Sequence, residues 1–412
     1  MTESPVIDGP KPRPRLLFLC QTLPYPPDGG VMIRTYHVLR LLAQRYDIHA
    51  LCFFRRSTAR GVESAVRALS EYATTVEAFP IPQEWSRGRL LWDHTRSVLQ
   101  QRVYTLHAYE SSAFGARIIA LRQNWNFAIA HLDSLDLSGY LPLLDGLPTV
   151  CVHHNVESAL LARRSTVEAS LLKRWYLSMQ AKLMEAEEAR CCPRVALNVV
   201  CSKDDQAILE HIAPESRTTV VPNGVDIDEF TPGPQASEGV VFVGGMTWFP
   251  NRDCLEYFAE SILPELAESG PMPVINWVGR ALPGTTEHYG RRGITLTGYV
   301  ESIVPWVQKA ACFIVPLRVG GGTRLKILSA WAMGKAVVST SIGCEGLEAR
   351  DGWNVLIRDD PKDFAAAVRQ VLDDPTLASK LGANARATAV EIYSWDRIGE
   401  HMSKEYSSIA VG

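Results

Sequence analysis

The run Val240-Val241-Phe242-Val243-Gly244-Gly245 begins the second of two series of predicted strands. It is continuously apolar, as parallel strands covered on both faces are, and its glycines lead into a helical pattern. Similar apolar runs follow at residues 274–278, 295–297, 312–315 and 336–339. Helical patterns at residues 253–266 and 324–333 lie between these runs, and a third at 361–372 follows them. This alternation predicts a doubly wound α/β domain.

An equivalent series occupies the first half of the chain. It begins with Leu16-Leu17-Phe18-Leu19-Cys20, followed by a helical pattern over residues 31–44. Further apolar runs lie at residues 48–54, 127–131, 150–153 and 196–201, and a long charged helical pattern spans residues 156–190. Two such series predict an α/β protein with two doubly wound, Rossmann-like domains that face each other across a cleft.

Turn-forming residues separate the two series. Pro222-Asn223-Gly224 and Thr231-Pro232-Gly233-Pro234 are rich in proline and glycine, which interrupt regular structure. The predicted organisation is a disordered tail at residues 1–14, a first domain at 15–222 and a second domain at 223–393. Residues 394–412 are predicted to form a helix that packs back on the first domain.

Composition excludes several classes of protein. The 412 residues are 46% hydrophobic and 21% charged, and their formal charge is only -3, whereas a dedicated nucleic-acid-binding protein would be strongly basic. No apolar run approaches the length that spans a bilayer. The low net charge thus predicts no nucleic-acid partner. The nine cysteines are odd in number and form no C-x-x-C pair, so we expect a reducing, cytoplasmic compartment.

Glycine-rich loops after predicted strands are the candidate binding segments, because ligands of doubly wound folds bind beyond the carboxyl ends of strands. Gly320-Gly321-Gly322 precede a helix with basic residues in its first turn. Cations are unfavourable there unless an anion binds. The Thr323 hydroxyl, Arg324 and Lys326 are therefore predicted to converge with backbone amides on a phosphate. The alternative is a surface helix start with solvated bases.

The loop after residues 240–243 is a second candidate, with Gly245 and Arg252 near the start of the following helix. Asn251 is predicted to cap that helix. Trp248 and Phe249 either fill the core or line a ligand cavity.

The first domain also has candidate binding residues after its predicted strands, namely a glycine pair and three histidines. Gly29 and Gly30 either let a ligand approach the backbone or form an ordinary tight turn. His131, His153 and His154 follow strand-like runs, as hydrogen-bonded structural residues or as groups that line the cleft. No H-E-x-x-H or similar spacing occurs, so no metal site is predicted.

An arginine-rich segment at residues 87–122 also carries the apolar residues Leu90, Leu91 and Trp92. It is predicted either to form an ordinary amphipathic helix or to contact an anionic or membrane-borne acceptor.

These motifs resemble the retaining, nucleotide-sugar-dependent glycosyltransferases of the GT-B fold, in the family 4 group. His154-Asn155-Val156-Glu157-Ser158 is similar to an HNVES segment of one branch. Val221-Pro222-Asn223-Gly224-Val225-Asp226 is similar to the family's linker, and residues 320–338 are similar to its donor-site loop and helix. The likeness extends from about residue 15 to residue 407.

The resemblance implies transfer of a sugar from a UDP- or GDP-sugar to a hydroxyl acceptor, with retention of configuration and no cofactor beyond the donor itself. The first domain would lie on the acceptor side and the second would bind the nucleotide sugar. The acceptor would be a glycan, a lipid-linked molecule or a small molecule, in polysaccharide, glycolipid or natural-product biosynthesis. The enzyme would be cytoplasmic or peripheral at the inner membrane face.

The resemblance also suggests roles for individual residues. Arg324 and Lys326 would stabilise the departing diphosphate without a metal, and His154 or His131 would orient the reacting sugar or acceptor. Family members commonly carry two glutamates at the positions of Gly321 and Ser329. The residues expected to contact the donor are Gly29, Gly30, Gly245, Arg252, Gly320, Gly321, Gly322, Thr323 and Ser329.

Two alternatives remain open at the level of sequence. One is a sugar-nucleotide epimerase of the same fold. The other is a catalytically weakened scaffold that binds a partner transferase, which Gly321 and Ser329 motivate.

Overall fold

The computed structural model describes residues 13–233, 239–320 and 324–410. These residues form two compact units: residues up to 200, 206–220 and from 401 onward make the first, and residues 201–205 and 221–400 make the second. Most of the predicted tail, and the predicted phosphate-binding residues Gly321, Gly322 and Thr323, lie outside the described residues.

The first unit contains a seven-stranded sheet in which every pairing is parallel. The strand order is β3-β2-β1-β4-β5-β6-β7. The strands are β1 Arg15–Cys20, β2 Asp47–Phe54, β3 Thr75–Pro80, β4 Ile129–Leu132, β5 Thr149–Val152, β6 Leu197–Val200 and β7 Thr218–Val220.

Helices connect these strands and cover the sheet. They are α1 Gly30–Leu42, α2 Val62–Leu69, α3 Arg87–Gln100, α4 Tyr104–Ala108, α5 Ser112–Asn124, α6 Glu157–Val167, α7 Leu171–Cys191 and α8 Lys203–Ile212. Shorter 3-10 segments are Arg56–Gly61, Pro82–Trp85, Leu135–Leu144 and Cys192–Arg194.

The second unit contains a six-stranded parallel sheet with the order β10-β9-β8-β11-β12-β13. Its strands are β8 Val240–Val243, β9 Ile275–Val278, β10 Ile294–Leu296, β11 Cys312–Val315, β12 Ala336–Ser339 and β13 Leu356–Ile357. Its helices are α9 Phe249–Tyr257, α10 Leu263–Glu268, α11 Thr285–Gly290, α12 Val304–Lys309, α13 Leu325–Ala332, α14 Pro361–Asp373 and α15 Pro375–Ile392. A π-helical turn, Phe258–Ile262, joins α9 to α10, and Ile342–Cys344 is a 3-10 turn.

The final helix, α16 Trp395–Ala410, contributes to both units. Residues 401–410 belong to the first unit and the preceding turn belongs to the second. Across the described ranges, none of the helices has both the length and the apolarity required to cross a membrane.

Both predicted series of parallel strands are confirmed, with bounds shifted by one or two residues. Central strands form where the sequence is continuously apolar because both of their faces are buried: residues 16–20 of β1 are completely inaccessible. The prediction of one helix over residues 156–190 is wrong. That segment folds as α6 and α7, and a hydrogen bond from the Ser170 amide to the Glu168 side chain stabilises the turn that separates them.

Close packing of two glycines positions α15 in the second unit. Gly334 ends α13 with a left-handed φ of 65°, and a Cβ added at Gly382 in α15 would lie 2.0 Å from the Gly334 carbonyl oxygen. Because the obstacle is backbone, it cannot rotate away as a side chain would.

We therefore expect Gly382→Ala to lower the free energy of unfolding by about 1–3 kcal/mol, as overpacking typically does. Gly290→Ala is the matched control, since a Cβ there would meet nothing within 4 Å and its φ is not left-handed. Chemical denaturation of both variants measures the difference. Equal stability of the two variants would contradict the packing argument.

Candidate functional site

In each sheet, the strands that follow the first strand in sequence are added first on one side of it and then on the other, so the strand order reverses at that first strand. In the first sheet β1 lies between β2 and β4, and in the second sheet β8 lies between β9 and β11. The loops that follow β1 and β4 therefore diverge, as do those that follow β8 and β11. Ligands of doubly wound sheets bind at such points.

Asp133 lies at the reversal point of the first sheet, directly after β4, and is completely buried. Its Oδ2 atom accepts a hydrogen bond from Thr35 Oγ1 of α1 at 2.7 Å and lies 3.3 Å from His154 Nε2. Its Oδ1 atom lies 3.3 Å from His131 Nε2. Burial alone would raise the pKa of this carboxyl, but His154 and His131 outweigh burial and hold the pKa well below its usual range. Asp133 is therefore an ionised centre that joins the segments after β1, β4 and β5.

His131 is part of the interior of the first unit. Its ring stacks on Phe18 with centroids 4.1 Å apart, its Nδ1 atom lies 2.7 Å from the Tyr406 hydroxyl of α16, and its side chain is inaccessible. Burial lowers the pKa of His131, with Asp133 acting in the opposite direction. The prediction that His131 contacts a reacting sugar or acceptor does not fit this position; the residue orients Asp133 and anchors α16.

His154 lies on the outer side of the same carboxylate. Its side chain is 6% exposed and is held by Asp133 through Nε2. The neighbouring His153 is different, because it points to Asn198 at 3.0 Å and burial lowers its pKa to about 4. Of the three predicted histidines, His154 is thus the one whose position fits contact with a ligand.

A group of carboxylates lies close to this histidine in the first unit. Burial raises the pKa of Asp136, raises that of Glu157 to about 8 and raises that of Glu188 to about 7. Mutual repulsion adds to the effect at Glu157, while Ser158 donates to Glu188 through its amide and its hydroxyl. Near neutral pH Glu157 therefore retains a proton and can donate a hydrogen bond, whereas Glu188 accepts from Ser158 at both of its oxygens.

Gly29 and Gly30 lie at the start of α1, and packing within the first unit does not require glycine at position 29. Gly29 is the residue before the helix, its φ of -134° is open to any residue, and a Cβ there would meet nothing within 4 Å. Gly30 is the exposed first residue of α1. The space beside Gly29 is therefore available to a ligand.

Lys326 lies at the reversal point of the second sheet. Its Nζ atom donates to Asn251 Oδ1 at 2.7 Å and stands 4.1 Å from the centroid of the Phe242 ring. Asn251 in turn donates to the Gly245 carbonyl at 2.9 Å. Burial is the main cause that lowers the pKa of Lys326 to about 7; Cys254 opposes this shift and Arg324 contributes to it.

This geometry corrects one prediction for the loop after β8 and excludes one of two alternatives left open there. Asn251 is not the N-cap of α9, because the helix already begins at Phe249 and the Asn251 side chain serves the Lys326 ammonium instead. Trp248 and Phe249 are 47% and 44% exposed, so they do not fill the core. Arg252 is exposed on α9, with its guanidinium 6.0 Å from the Phe249 ring.

Arg324, immediately before α13, is only 3% exposed. Its Nε atom donates to the Ile342 carbonyl at 3.1 Å and its guanidinium forms an ion pair with Glu345 at 3.3 Å. A Cβ at Gly320 would come within 2.9 Å of this guanidinium, so glycine leaves room for it. The alternative of solvated bases at this helix start is therefore wrong.

Ser329 lies one turn further along α13. Its hydroxyl donates to the Leu325 carbonyl of the same helix at 3.3 Å. A contact of Ser329 with the donor stays a prediction.

Sequence reasoning missed Asp133, Thr35 and Glu345. The available signal for Asp133 was its position, since it is the first polar residue after a buried strand. Thr35 and Glu345 lie far from their partners in sequence, and no local pattern marks them.

The buried His131–Tyr406 hydrogen bond generates a stability prediction. Tyr406→Phe should leave the His131 ring nitrogen without its partner where water cannot enter, at a cost of about 1–3 kcal/mol. Tyr176→Phe is the matched control, because its hydroxyl lies 2.6 Å from His94 Nδ1 at a partly exposed position where water can substitute. Denaturant midpoints of the two variants provide the comparison, and a larger loss in the control would refute the assignment.

Comparison with known families covers most of the chain. The family described as "Glycosyltransferase Family 4" matches residues 28–229, and the one described as "Glycosyl transferases group 1" matches residues 237–374. A D-inositol 3-phosphate glycosyltransferase of Geodermatophilus obscurus is 30% identical over 242 residues, or 52% of this chain and 52% of that protein. The chain thus spans about half the length of the curated relatives it matches.

Solved structures agree with the fold. Anabaena HepE in complex with UDP and glucose superimposes with a TM-score of 0.67 at 15% identity, over 96% of this chain and all of that one. Sucrose-phosphate synthase of Thermosynechococcus elongatus gives 0.69 at 17% identity, over 96% and 98% of the two chains. With its two parallel sheets and both family domains in succession, the chain belongs to the family 4 group of GT-B glycosyltransferases.

Proposed function

We propose that this protein transfers a sugar from a nucleoside diphosphate sugar to a hydroxyl acceptor, and that its second unit binds the donor. The observation that carries the proposal is the environment of Lys326. Its ammonium is partly buried beside an amide oxygen and an aromatic ring, and within the described part of the chain no carboxylate pairs with it. A buried cation without a counter-ion is costly, and an anionic ligand removes that cost.

The chemistry of the donor fits this arrangement. A nucleoside diphosphate leaves with negative charge, so catalysis needs cationic groups and amide donors at the departing phosphates. Lys326 supplies a cation, and the adjoining start of α13 presents backbone amides. The loops after β8 and β11 contain no D-x-D pair, and on this basis we propose a reaction independent of metal ions.

Arg324 has a different role in this proposal. Its ion pair with Glu345 already compensates its charge, and its own positive charge disfavours protonation of Lys326 in the free protein. Direct phosphate contact, the role expected from sequence, falls mainly to Lys326.

The first unit would bind the acceptor. His154, oriented by Asp133, is placed to direct a hydroxyl group or the transferred sugar, and the protonated carboxyl of Glu157 can donate to a hydroxyl oxygen. Family membership supports transfer with retention of configuration, and proton NMR of the anomeric signal in the first product tests it.

The relatives suggest which substrates to try first. HepE is described in complex with UDP-glucose, and the curated relatives are named for transfer to an inositol phosphate. UDP-sugars and polyol acceptors are therefore the first choices for a screen, followed by GDP-sugars and lipid-linked acceptors.

Ser329 is the residue that motivates the scaffold alternative, because it stands where family members carry a carboxylate. Its hydroxyl donates to the Leu325 carbonyl of its own helix. Incubation with nucleotide sugars and no acceptor separates the alternatives. Slow release of nucleoside diphosphate supports a transferase, conversion of the sugar to its epimer supports an epimerase, and absence of donor binding supports a scaffold.

Titration of Lys326 predicts the pH dependence of donor binding. The free protein holds the pKa of Lys326 at about 7, and a bound diphosphate raises it, so binding takes up a proton. Affinity for UDP-glucose, whose doubly esterified diphosphate keeps a constant charge near neutrality, should be highest below pH 7. Above pH 7 the affinity for UDP-glucose should fall by up to about tenfold per pH unit. Calorimetric titrations from pH 6 to 9 in EDTA measure this slope and also test metal independence.

Lys326→Met should remove the slope and weaken binding about 10- to 150-fold at low pH, the equivalent of one charge-assisted hydrogen bond. Lys335→Met is the matched control. Lys335 is also a lysine with a lowered pKa, but it lies directly before β12, at the amino-terminal ends of the strands. Its ammonium donates to the carbonyls of Gln308 and Ala310. Unchanged affinity and slope in a folded Lys326→Met protein would exclude the phosphate role.

His154→Ala should lower transfer by about 100-fold, as loss of an orienting group in acid–base chemistry commonly does, while UDP affinity changes little. The reason is that His154 belongs to the first unit and Lys326 to the second. His211→Ala, an exposed histidine of α8, is the control for both measurements. If nucleotide affinity falls as much as turnover, His154 binds the donor and the acceptor role is wrong.

A further inference from the structure

We propose that Asp133 is a positioning residue that fixes the direction of the hydrogen bonds around it, so that His154 presents a bare Nδ1 nitrogen and accepts a hydrogen bond from a substrate hydroxyl group. The inference rests on the proposed function, because it concerns the same reaction. It adds the polarity of the contact: His154 accepts, and the substrate group that meets it must donate.

The carboxylate of Asp133 sets the direction of every contact that it makes. An ionised carboxylate accepts hydrogen bonds and donates none. Its Oδ2 atom accepts from Thr35 Oγ1 at 2.7 Å and from Cys20 Sγ at 3.4 Å, and both of these residues are completely buried. The Nε2 atoms of His131 and His154, which each face it at 3.3 Å, must therefore both carry hydrogens.

His131 has partners that agree with this direction. Its Nε2 hydrogen is directed to Asp133, and burial lowers the pKa of the ring, which is therefore neutral and has an acceptor at Nδ1. The Tyr406 hydroxyl, 2.7 Å from Nδ1, supplies the matching donor. The two ring nitrogens of His131 are thus both satisfied, one as a donor and the other as an acceptor.

His154 has the same tautomer but only one of the two partners. Its Nε2 hydrogen is directed to Asp133 Oδ2, which leaves a lone pair on Nδ1 in the neutral ring. Among the residues that the structure describes, none pairs with this Nδ1 atom, and the atom is not sealed from solvent as the unpaired His107 Nε2 is. A hydrogen-bond acceptor held in one orientation is therefore open to a ligand at the reversal point of the first sheet.

This polarity restricts which chemical groups can meet His154. A hydroxyl group can donate to the Nδ1 atom of the neutral ring, whereas a phosphate, a carboxylate or an ether oxygen offers only lone pairs and would be repelled. Sugars and polyols carry several hydroxyl groups, which fits the substrates of the proposed reaction. The charge of Asp133 opposes the other tautomer, because a bare Nε2 nitrogen would then face a carboxylate oxygen.

NMR of the free protein labelled with ¹⁵N-histidine tests the tautomer without any substrate. In the neutral ring of His154 we expect a slowly exchanging hydrogen on Nε2, whereas the exposed His288 of α11 should exchange rapidly. Asp133→Asn replaces one accepting oxygen by a donating amide, so one of the two neighbouring histidines must turn a bare nitrogen towards it and change its tautomer. A hydrogen on Nδ1 of His154 in the wild type would overturn the proposal.

Two substitutions of His154 separate the atom that faces the ligand from the one that faces Asp133. His154→Asn retains an oxygen acceptor at the position of Nδ1, and His154→Gln retains a donor that reaches Asp133. We measure turnover of UDP-glucose with water or a polyol as acceptor. It should be about tenfold higher in His154→Asn than in His154→Gln, the equivalent of one hydrogen bond. Equal turnover, or higher turnover in His154→Gln, would contradict the assignment of Nδ1.

Asp133→Asn and Tyr406→Phe distinguish positioning from structural support. Asp133→Asn should lower kcat about 10- to 100-fold with little change in KM for UDP-glucose, as loss of the outer partner of a functional histidine commonly does. Tyr406→Phe removes a hydrogen bond from the same buried network, but it leaves the charge of Asp133 and therefore the tautomer of His154 intact. It should keep the wild-type kcat in spite of its lower stability.

The outcomes separate this inference from the proposed function. Equal losses of kcat in Asp133→Asn and Tyr406→Phe would show that Asp133 has only a structural role and would overturn the inference. A protein that turns over no nucleotide sugar, yet shows the expected tautomer of His154, would contradict the proposed function and support the effect of Asp133 on the ring.

Discussion

A carboxylate that water cannot reach must be surrounded by groups that donate to it or carry the opposite charge, and Asp133 imposes this requirement on the first unit. Thr35 and His154 meet it at one oxygen, and His131 meets it at the other. Each of these residues belongs to a different part of the chain. The charge of one side chain thus fixes the relative positions of α1, β4 and the segment after β5.

The second unit has the complementary arrangement with the opposite sign. Lys326 is enclosed at the equivalent reversal of strand order, but its partners are an amide oxygen and an aromatic ring. Asp133 is electrostatically satisfied by its own unit, whereas Lys326 is not satisfied by the described residues around it. This difference explains why the first site serves as a preorganised support for His154, and why we assign the second to an anion.

Structure could be predicted from the sequence where burial leaves a local pattern of apolar residues, and could not be predicted where it does not. Central strands were predicted because both faces are covered and the sequence is continuously apolar there, but β3 and β7 lie at sheet edges, are half-buried, and lack such a run. Helix α15 was missed although Asp374-Pro375 marks its start, with the Asp374 carboxylate accepting from the Thr376 and Leu377 amides. The glycine loops and Lys326 could be located from local pattern. Asp133, Glu345 and the partner of Asn251 could not, since their roles depend on contacts between residues distant in the chain.

The contact between His131 and Tyr406 has a consequence for the order in which the protein can mature. Residues 401–410 are synthesised after the entire second unit, yet they supply the hydroxyl that His131 faces inside the first. While the ribosome is still translating the second unit, the first sheet can form, but its His131 nitrogen has no Tyr406 partner and the surface beneath α16 is uncovered. The first unit can therefore form this hydrogen bond and cover this surface only after residues 401–410, which follow the second unit in the chain, have been synthesised.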